Sequence, residues 1–412
     1  MKVLLVNTSQ IAGGAAIAAY RLLKALLRGG VDAKMLVALR QTDDPDVLTA
    51  APEWRHKMHF ATERARIWLS NGFTKKRLFA LDPATDGTDI TELPAFKEAD
   101  IIHLHWVNQG FLSMAGLRKV LRSGKRIVWT MHDMWPSTGV CHYAGSCTLF
   151  RTRCHDCPLL KKPAKRDMSY TTFKRKAALY KDADFKVVTC SHWLEEQAHL
   201  SSLLKGKSIT CIPNPLDTTL FCPGDKLEAR KALGLPLERR LILFASQKVT
   251  DERKGIKYIA EMAKTLKKRS ATQTDANLGF IAMGLKAERL AELLSYPVYP
   301  MGYIASPERL VEIYRAADLF ITPALFDNLP NTIVEAMACG TPCVGFRTGG
   351  IPEMIDHLAN GYVANYKDSQ DLADGVEFVL NTPGLGDAAS HYAQYVYDQD
   401  RVARKYIEVY AS

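Results

Sequence analysis

The strongest constraint on the fold is an alternation of short apolar runs with helical segments, which occurs twice along the chain. The first run, at residues 3–6, precedes a glycine turn, a predicted helix over residues 15–27 and a second apolar run over residues 31–39. Short apolar runs separated by helices are typical of parallel strands in a sheet that is covered on both faces. The first half of the chain is therefore predicted to be a doubly wound α/β domain.

The alternation restarts after residues 211–215, which contain two prolines, and a new first strand is predicted at residues 241–245. With 412 residues the chain exceeds the ~100 to 200 residues of an ordinary domain. We predict two Rossmann-like domains, residues 1–215 and 216–390, that face each other across a cleft and join at a hinge near residues 212–220. A C-terminal helix, residues 391–412, is expected to pack back on the first domain.

The net charge of the chain and the length of its apolar runs indicate which partners it could have. The net charge is +10, and residues 151–181 contain ten Lys or Arg but only two acidic residues. This basic stretch suits phosphates of a lipid leaflet or of a lipid-linked acceptor, although an ordinary solvated surface is the simpler interpretation. Nucleic acid is disfavoured because no recognition motif accompanies the charge. No run approaches the ~20 apolar residues of a spanning helix, so we expect a cytoplasmic protein, with peripheral contact to the inner membrane face.

The second half concentrates candidate binding residues where a strand ends and a helix begins. That turn contains Asp327, Asn328, Leu329, Pro330 and Asn331, and Glu335 follows within the first turns of the helix. Ligands of open parallel sheets bind beyond the carboxyl ends of the strands, where helix N-termini favour anions. We therefore expect an anion at this turn, with Glu335 beside it as an acceptor for ribose hydroxyls.

Two cations and a glycine pair lie on neighbouring loops of the same half. Arg253 and Lys254 follow the strand at residues 241–245, and Lys254 is expected to stabilise a departing diphosphate, assisted by Arg253 or Lys248. The turn at residues 349–350 is predicted to open a third helix on this sheet edge. A glycine-rich turn is usually only a turn, so the prediction depends on the combination.

In the first half, His132 follows the strand predicted at residues 126–130 and is expected to face the cleft. There it would donate a hydrogen bond to a sugar hydroxyl or orient an acceptor, although a loop histidine satisfied by the backbone is an equally simple interpretation. His103 and His105 flank Leu104, which predicts one of them in the core and the other at the cleft. We rank both below His132.

Together these motifs resemble glycosyltransferase family 4, a GT-B-fold family, and especially its bacterial capsule, exopolysaccharide and colanic-acid-type branch. The resemblance spans nearly the whole chain. It rests on residues 12–16 (AGGAA), 128–133 (VWTMHD), 212–215 (IPNP), 253–255 (RKG) and 327–345.

The resemblance implies retaining transfer of a hexose-type sugar from a UDP- or GDP-sugar to a glycan or polyprenyl-diphosphate-linked acceptor. It implies catalytic roles for His132, Lys254 and Asp327, with Lys254 at the diphosphate and Glu335 at the ribose. Other donor contacts would come from Gly13, Gly14, Arg253 and residues 327–331. Asp327 and Val249 stand where the family usually has Glu and Arg. No catalytic metal is expected, because basic side chains and helix N-termini replace Mg²⁺ at the diphosphate.

Four of the nine cysteines, Cys141, Cys147, Cys154 and Cys157, lie within seventeen residues. Disulfides are rare in the cytosol, and four thiolates suit a tetrahedral Zn²⁺ that has no open coordination position. We therefore predict a structural zinc site, with buried unpaired thiols as the alternative. The resemblance supports zinc, since exopolysaccharide-type relatives have similar cysteines after the His-Asp motif.

Other protein classes share this sheet architecture, so fold alone does not decide function. An NAD-dependent oxidoreductase is disfavoured because no G-x-G-x-x-G follows the first strand and Arg40 stands where an acidic residue is needed. A nucleotide-sugar 2-epimerase is disfavoured because its catalytic carboxylates are not evident in the first half. A non-catalytic or regulatory sugar-nucleotide-binding protein stays open, because Asp327 departs from the family's Glu.

Overall fold

The computed structural model describes residues 1–270 and 277–412, which divide into two compact units. The first unit is Met1–Pro215 with Val402–Ser412, and the second is Leu216–Arg401. Each unit contains one parallel sheet, which confirms the predicted α/β class with two doubly wound sheets. Among the described residues, no helix combines the length and the apolar character needed to cross a bilayer.

The strands, in chain order, are β1 (Lys2–Ser9), β2 (Asp32–Leu39), β3 (Val47–Thr49), β4 (Ile101–Leu104), β5 (Arg126–Met131), β6 (Lys186–Thr189), β7 (Ile209–Cys211), β8 (Arg240–Lys248), β9 (Leu278–Leu285), β10 (Val298–Gly302), β11 (Leu319–Thr322), β12 (Cys343–Phe346) and β13 (Gly361–Ala364). The first sheet has the order β3-β2-β1-β4-β5-β6-β7, and the second has the order β10-β9-β8-β11-β12-β13. All neighbouring strands are parallel.

The helices are α1 (Gly14–Arg28), α2 (Glu53–Ser70), α3 (Pro94–Glu98), α4 (Met114–Leu121), α5 (Met168–Tyr180), α6 (His192–Leu200), α7 (Lys226–Leu233), α8 (Ile256–Ser270), α9 (Arg289–Leu293), α10 (Pro307–Ala316), α11 (Asn331–Ala338), α12 (Ile351–Met354), α13 (Ser369–Asn381), α14 (Leu385–Tyr397) and α15 (Gln399–Ala411). In the first sheet, the two edge strands β3 and β7 are three residues long, too short to form an extended apolar run.

Strand β1 shows why its sequence is a continuous apolar run. Leu4 and Val6 pack in one core cluster, whereas Val3 and Leu5 pack in a second cluster. Because successive side chains of a strand point to opposite faces, a sheet covered on both faces needs apolar residues at every position.

The C-terminal segment differs from the single helix predicted over residues 391–412. It contains two helices, α14 and α15, separated at Asp398, whose Oδ1 accepts hydrogen bonds from the backbone N–H groups of Asp400 and Arg401. This side-chain cap satisfies donors that a continuous helix would use internally. From Val402 onward α15 belongs to the first unit, where Tyr406 and Tyr410 are fully buried.

Each sheet has one point where the strand order reverses. In the first unit this switch lies between β1 and β4, and in the second it lies between β8 and β11. Ligands of doubly wound folds bind outside the carboxyl ends of the strands at such a point. The loops that follow these four strands are therefore the places to look for a site.

Candidate functional site

The switch point of the second unit brings a cation and a carboxylate together. Lys254 follows β8, Asp327 follows β11, and Lys254 Nζ lies 2.6 Å from Asp327 Oδ2. The two side chains are 31% and 16% exposed. This pair of loops is where the sequence predicted convergence, and the contact remains accessible from solvent.

The two loops can approach this closely because position 255 is a glycine. The backbone N–H of Leu325 donates a 2.7 Å hydrogen bond to the carbonyl of Arg253. Gly255 has φ +73°, and a Cβ there would lie 1.9 Å from the carbonyl oxygen of Pro323. Any other residue would push the loops apart and separate Lys254 from Asp327.

The loop after β12 joins the same assembly through its backbone. Gly350 N–H donates a 2.9 Å hydrogen bond to the carbonyl of Asn328. Gly349 has φ +56°, and a Cβ there would lie 1.7 Å from the carbonyl oxygen of Asp327. The helix predicted after this turn is present as α12, a single turn of four residues. The glycine pair precedes this helix and also fixes the Asp327 loop.

The N-terminus of α11 faces this assembly with no side-chain hydrogen bond capping it, and Pro330 stands at the N-cap. The side chains of Asn328, Leu329 and Pro330 are buried, whereas Asp327 and Asn331 are partly exposed. The first three therefore shape the turn through packing and backbone groups. The backbone N–H groups of the first helical turn give this edge a positive partial charge.

Glu335 lies one turn inside α11 and is 4% exposed. Its Oε2 accepts a 2.7 Å hydrogen bond from the hydroxyl of Tyr314, a fully buried residue of α10. Tyr314 was not among the residues predicted from the sequence, where it is only an aromatic residue with a polar tip in an apolar helical stripe. A buried phenol tends to find a partner, so such a residue marks a hidden acceptor nearby.

The other cations of this edge have different surroundings. Arg253 is exposed and pairs with Asp251, Nη2 to Oδ2 at 2.7 Å. Burial alone would raise the pKa of Asp251, but hydrogen bonds from Arg253 lower it overall. Lys248 is exposed at the end of β8, and Val249 is fully buried in the core. Position 249 therefore offers packing and no charge.

In the first unit, Gly13 and Gly14 begin α1 at the carboxyl end of β1. Gly13 is the N-cap with φ +97°, and a Cβ there would meet nothing within 4 Å. The glycine is needed for its backbone conformation, not for a close approach by a neighbouring loop. No side-chain hydrogen bond caps this 15-residue helix.

His132 is partly exposed and lies at the end of a row of histidines whose other members, His103 and His105, are buried. Its Nε2 lies 3.0 Å from Nδ1 of His105, and its Nδ1 lies 3.5 Å from Sγ of Cys190. His103 and His105 are both buried, so the expectation that one of them faces a cleft is wrong. His103 contacts Tyr410 instead, with its Nδ1 2.6 Å from the hydroxyl.

Burial keeps these three rings neutral. It lowers the pKa of His132 to about 4, although Asp133 acts in the opposite direction. Burial and the neighbouring His132 lower the pKa of His103 to about 3, and the pKa of His105 lies well below its usual value for the same reasons. A neutral histidine offers one donor and one acceptor, so these three rings supply hydrogen-bonding groups without charge.

Asp133 organises the loop that follows β5. Its carboxylate pairs with His142 at 2.7 Å and accepts hydrogen bonds from Trp135 N and Trp106 Nε1 at 2.8 and 2.9 Å. Burial alone would raise the pKa of Asp133, but His142 and these donors lower it overall. The Asp of the His-Asp motif is therefore an anchor within the first unit.

The four clustered cysteines line one cavity of about 20 Å³, together with mostly apolar side chains. That volume holds a single atom of about the size of a water molecule. Burial raises the pKa of Cys141 to about 12 and that of Cys154 to about 11. Within residues 1–270 and 277–412, the ligand group whose donor atoms all lie within 4.8 Å of one another is instead His192, Glu195 and Cys211. The four sulfur atoms surround a common space but are more widely spaced than in a closed metal site.

Comparison with protein families assigns both halves of the chain. Residues 12–220 match the family described as Glycosyltransferase Family 4, and residues 239–382 match the family described as Glycosyl transferases group 1. The first match covers half of the chain. The chain belongs to glycosyltransferase family 4.

Solved structures confirm the GT-B fold for this family 4 chain. Sucrose-phosphate synthase from Thermosynechococcus elongatus superposes with a TM-score of 0.69 at 19% identity, covering 100% of this chain and 98% of that one. HepE from Anabaena, solved in complex with UDP-glucose, superposes with a TM-score of 0.62 at 16% identity, covering 100% and 99%.

Curated relatives are more similar in sequence over shorter segments. The D-inositol 3-phosphate glycosyltransferase of Corynebacterium jeikeium is 29% identical over 196 residues, 45% of this chain and 46% of that protein. The N-acetyl-alpha-D-glucosaminyl L-malate synthase of Bacillus anthracis is 24% identical over 231 residues, 54% of this chain and 58% of that protein. The chain thus spans about half the length of the curated relatives it matches, and those relatives act on different acceptors.

Proposed function

We propose that the protein transfers a hexose-type sugar, with retention of configuration, from a UDP- or GDP-sugar to a glycan or polyprenyl-diphosphate-linked acceptor. One observation carries the proposal: Lys254 and Asp327 meet across the switch point of the second sheet, beside the N-terminus of α11. A partly exposed ammonium and a helix N-terminus on one edge suit a diphosphate. The structures of relatives that hold UDP-glucose agree with a nucleotide sugar as donor.

Lys254 is proposed to stabilise the leaving diphosphate. Its ammonium has three N–H donors, and Asp327 accepts one of them. The remaining donors can reach phosphate oxygens while Asp327 keeps the side chain in place. The charge on the departing oxygen grows as the bond to the sugar breaks, so a fixed cation stabilises the transition state more than the bound donor.

The two carboxylates are assigned to the two ends of the donor. Asp327, one methylene shorter than the family's Glu, contacts the sugar, and Glu335 accepts from the ribose diol. Arg253, Asn331 and the backbone of Asn328, Leu329 and Pro330 complete the donor contacts, with no catalytic metal.

In the transfer, the acceptor oxygen forms a bond to the anomeric carbon on the face from which the diphosphate leaves. The proton of the acceptor hydroxyl passes to the departing diphosphate oxygen, so charge and atoms balance without a metal.

The first unit is assigned to the acceptor. A neutral His132, whose pKa burial lowers to about 4, is suited to hydrogen bonding with a sugar hydroxyl at neutral pH. The backbone of Gly13 and Gly14 is assigned to contacts with the sugar nucleotide. A role in bacterial surface polysaccharide synthesis on the cytoplasmic side of the membrane is the biological setting we propose.

Release of a nucleoside diphosphate from sugar nucleotides tests the donor site. A thermal-shift screen of UDP-, GDP- and dTDP-sugars first selects the donor, because a ligand that binds only the folded state raises the melting temperature. Lys254→Ala should then lower kcat by about a hundredfold to a thousandfold, as loss of one transition-state donor does. Lys226→Ala is the matched control, because Lys226 pairs with Asp318 at 2.8 Å in the same unit.

Equal activity of Lys254→Ala and Lys226→Ala would refute the assigned donor site. Donor binding without turnover, with any acceptor tried, would favour the alternative of a non-catalytic sugar-nucleotide-binding protein.

We also propose that Cys141, Cys147, Cys154 and Cys157 hold a structural Zn²⁺. They line one cavity of single-atom volume, which is what a tetrahedral thiolate site requires. Zinc would have to draw the sulfur atoms to about 3.8 Å from one another, the spacing that four Zn–S bonds of ~2.3 Å impose. Closed coordination by four ligands gives the metal a role in folding only.

Elemental analysis of purified, chelator-washed protein tests the zinc site. About one equivalent is expected, and the Cys154→Ser variant should lose it together with several degrees of thermal stability. Cys222→Ser, a partly exposed cysteine of the second unit, is the control that should keep the metal. Zinc below about a tenth of an equivalent in the parent protein would remove the proposal, since structural sites hold metal tightly.

A further inference from the structure

Helix α2 of the first unit has its polar side inward. Its buried side chains are His56, Glu63, Arg64 and Ile67, of which only Ile67 is apolar. A surface helix of a globular protein normally turns its apolar stripe to the core and its charged side to water. Helix α2 departs from this arrangement, because most of its fully buried positions are polar, while Phe60 and Trp68 are only half-buried.

The outward side of α2 has an apolar stripe along nearly its full length. The stripe consists of Trp54, Met58, Ala61, Ala65 and Leu69, whose spacing of four, three, four and four residues places them on one helix face. All five are exposed, Trp54 by 63% and Leu69 by 55%. From end to end the stripe extends about 22 Å, at ~1.5 Å per residue. We call this set the outer stripe.

Specific partners stabilise the polar inner side. Glu63 and Arg64 form a 2.7 Å ion pair, and Arg64 Nη1 also donates to the carbonyls of Leu78 and Leu81. Glu63 Oε1 accepts from Thr85 N at 3.1 Å. Buried charges with this many partners fix the rotation of the helix about its axis, so exposure of the outer stripe is built into the fold.

Two more exposed aromatic residues follow the helix. Phe73 and Phe79 are 64% and 60% exposed. The Phe73 ring contacts Trp68 at the end of α2, with centroids 4.9 Å apart, and the Phe79 ring stacks on Phe60 at 6.2 Å. Contiguous exposed apolar surface on a monomer is unusual and marks a site of interaction.

Exposed cations follow this apolar surface in the chain. Residues 53–79 contain seven Lys or Arg and two Glu; Arg64 is buried on the inner side, whereas Lys75 and Lys76 are exposed. The basic stretch at residues 151–181 packs against the end of α2. In this contact Lys161 N donates to Asn71 Oδ1 at 2.7 Å, and Arg77 Nη1 donates to the carbonyl of Pro158 at 2.7 Å. The structure thus joins two basic segments that are distant in sequence beside one apolar stripe.

We propose that the outer stripe and its flanking cations bind an anionic lipid bilayer, with α2 lying in the plane of the interface. Apolar and aromatic side chains would enter the boundary between headgroups and acyl chains, while the cations meet lipid phosphates. A second copy of the chain is disfavoured, because a two-fold interface would place the same cations opposite each other. The proposal goes beyond sugar transfer and does not depend on the donor site.

Co-sedimentation with vesicles tests the proposal without any donor or acceptor. The full chain should bind vesicles of phosphatidylcholine and phosphatidylglycerol, bind vesicles of phosphatidylcholine alone about tenfold less, and dissociate as salt is raised. The stripe variant Trp54→Ser/Met58→Ser/Leu69→Ser and the charge variant Lys75→Glu/Lys76→Glu should each weaken binding by about tenfold or more.

The matched control replaces three exposed apolar residues of the second unit, Leu285→Ser/Leu293→Ser/Tyr303→Ser, and should bind like the parent. Circular dichroism checks that each variant is folded. Should the stripe variant not fold, the single variant Trp54→Phe gives a second readout. Subtracting the emission spectrum of Trp54→Phe from that of the parent gives the emission of Trp54. The maximum of this difference spectrum should shift to the blue when anionic vesicles are added.

Parent binding that is equal for neutral and anionic vesicles would overturn the proposal, and so would full binding by the stripe variant. If light scattering shows that the parent is a dimer and the stripe variant a monomer, and the parent does not bind lipid, the surface binds a second copy of the chain. That result would also overturn the proposal. Loss of sugar transfer in Lys254→Ala with vesicle binding unchanged would show the two proposals to be separate.

Discussion

The carboxyl edges of the two sheets are topologically equivalent and chemically opposite. In the second unit, the loops at the switch point bring the charged groups of Lys254 and Asp327 into a partly exposed contact. In the first unit, the chain after β4 and β5 carries the buried His105 and the partly exposed His132, whose rings are neutral because loss of hydration lowers the pKa of each. The fold decides where groups can meet, and the residues after the strands decide whether the edge attracts a charged diphosphate or uncharged hydroxyls.

The two edges also differ in what holds their loops. In the second unit, backbone meets backbone, and the contacts depend on Gly255 and Gly349. In the first unit, one side chain, Asp133, joins Trp106 and His142 to the loop after β5. The glycine-dependent edge should therefore tolerate no added atom, whereas the other edge should respond to protonation.

The largest effect is expected for Gly349→Ala. Its Cβ would lie 1.7 Å from the carbonyl oxygen of Asp327, so the variant should lower the unfolding free energy by more than about 4 kcal/mol. Gly234→Ala is the matched control, with φ +66° and nothing within 4 Å of the added Cβ, and should cost about 1 to 2 kcal/mol. Urea unfolding followed by far-UV circular dichroism measures both.

Tryptophan fluorescence adds a check on location, because all six Trp residues precede residue 216. The fluorescence transition should move less than the circular dichroism transition in Gly349→Ala. Equal costs for the two glycine variants would show that the loops of the second unit can part freely, which would remove the contrast between the edges.

The second effect is acid destabilisation of the first unit. His103, His105 and His132 bind protons when unfolded near their usual pKa of 6.5 but not when folded, where the pKa of His132 is about 4 and that of His103 about 3. A histidine whose pKa is lower in the folded state than in the unfolded state contributes stability above pH 6.5, and this contribution is lost as the pH falls below 6.5. Between about pH 7.5 and 5.5 the loss should be roughly 1.4 kcal/mol for each histidine, about 4 kcal/mol for the three together.

Urea unfolding read by tryptophan fluorescence at both pH values measures this loss. His391→Gln, at an exposed position of α14 in the second unit, should leave the pH dependence unchanged. A fluorescence transition that does not move with pH would mean that the histidine row is open to protons in the folded state, and the two edges would then be less different than we describe.

The sequence predicts that Lys254 and Asp327 lie on the same edge of the second sheet, but it does not predict the buried contacts below that edge. Apolar runs predict most strands closely, and parallel strands that share an edge bring Lys254 and Asp327 together without further information. The hydrogen bond from Tyr314 to Glu335 joins two helices and depends on how they pack, which periodicity does not reveal. The turn at residues 349–350 likewise predicts a helix, but its backbone contact with the Asp327 loop is visible only in the structure.

Helix α2 shows a different limit. Trp54, Met58 and Leu69 have the spacing of a helix, and by the ordinary rule that face would be placed in the core. The rule fails because Arg64 finds acceptors at Leu78 and Leu81, which lie on a loop beyond the helix. Which side of an amphipathic helix is buried depends on such long-range partners, so spacing alone gives the stripe but not its direction.

The smallest expected effect compares two tyrosines, one beneath each edge. Tyr314 donates to the carboxylate of Glu335 at 2.7 Å, and Tyr410 contacts the neutral His103 at 2.6 Å. A hydrogen bond to a charged group contributes about 1.5 to 3 kcal/mol, and one between neutral groups about 0.5 to 1.5 kcal/mol. Tyr314→Phe should therefore destabilise the second unit, measured by circular dichroism, about twice as much as Tyr410→Phe destabilises the first unit, measured by tryptophan fluorescence.

Because Tyr314 also orients the carboxylate assigned to the ribose, only Tyr314→Phe should weaken binding of the nucleoside diphosphate, by about tenfold. If both variants or neither variant bind the nucleoside diphosphate more weakly, the assignment of Glu335 to the ribose is wrong. The donor site would then consist of Lys254 and Asp327.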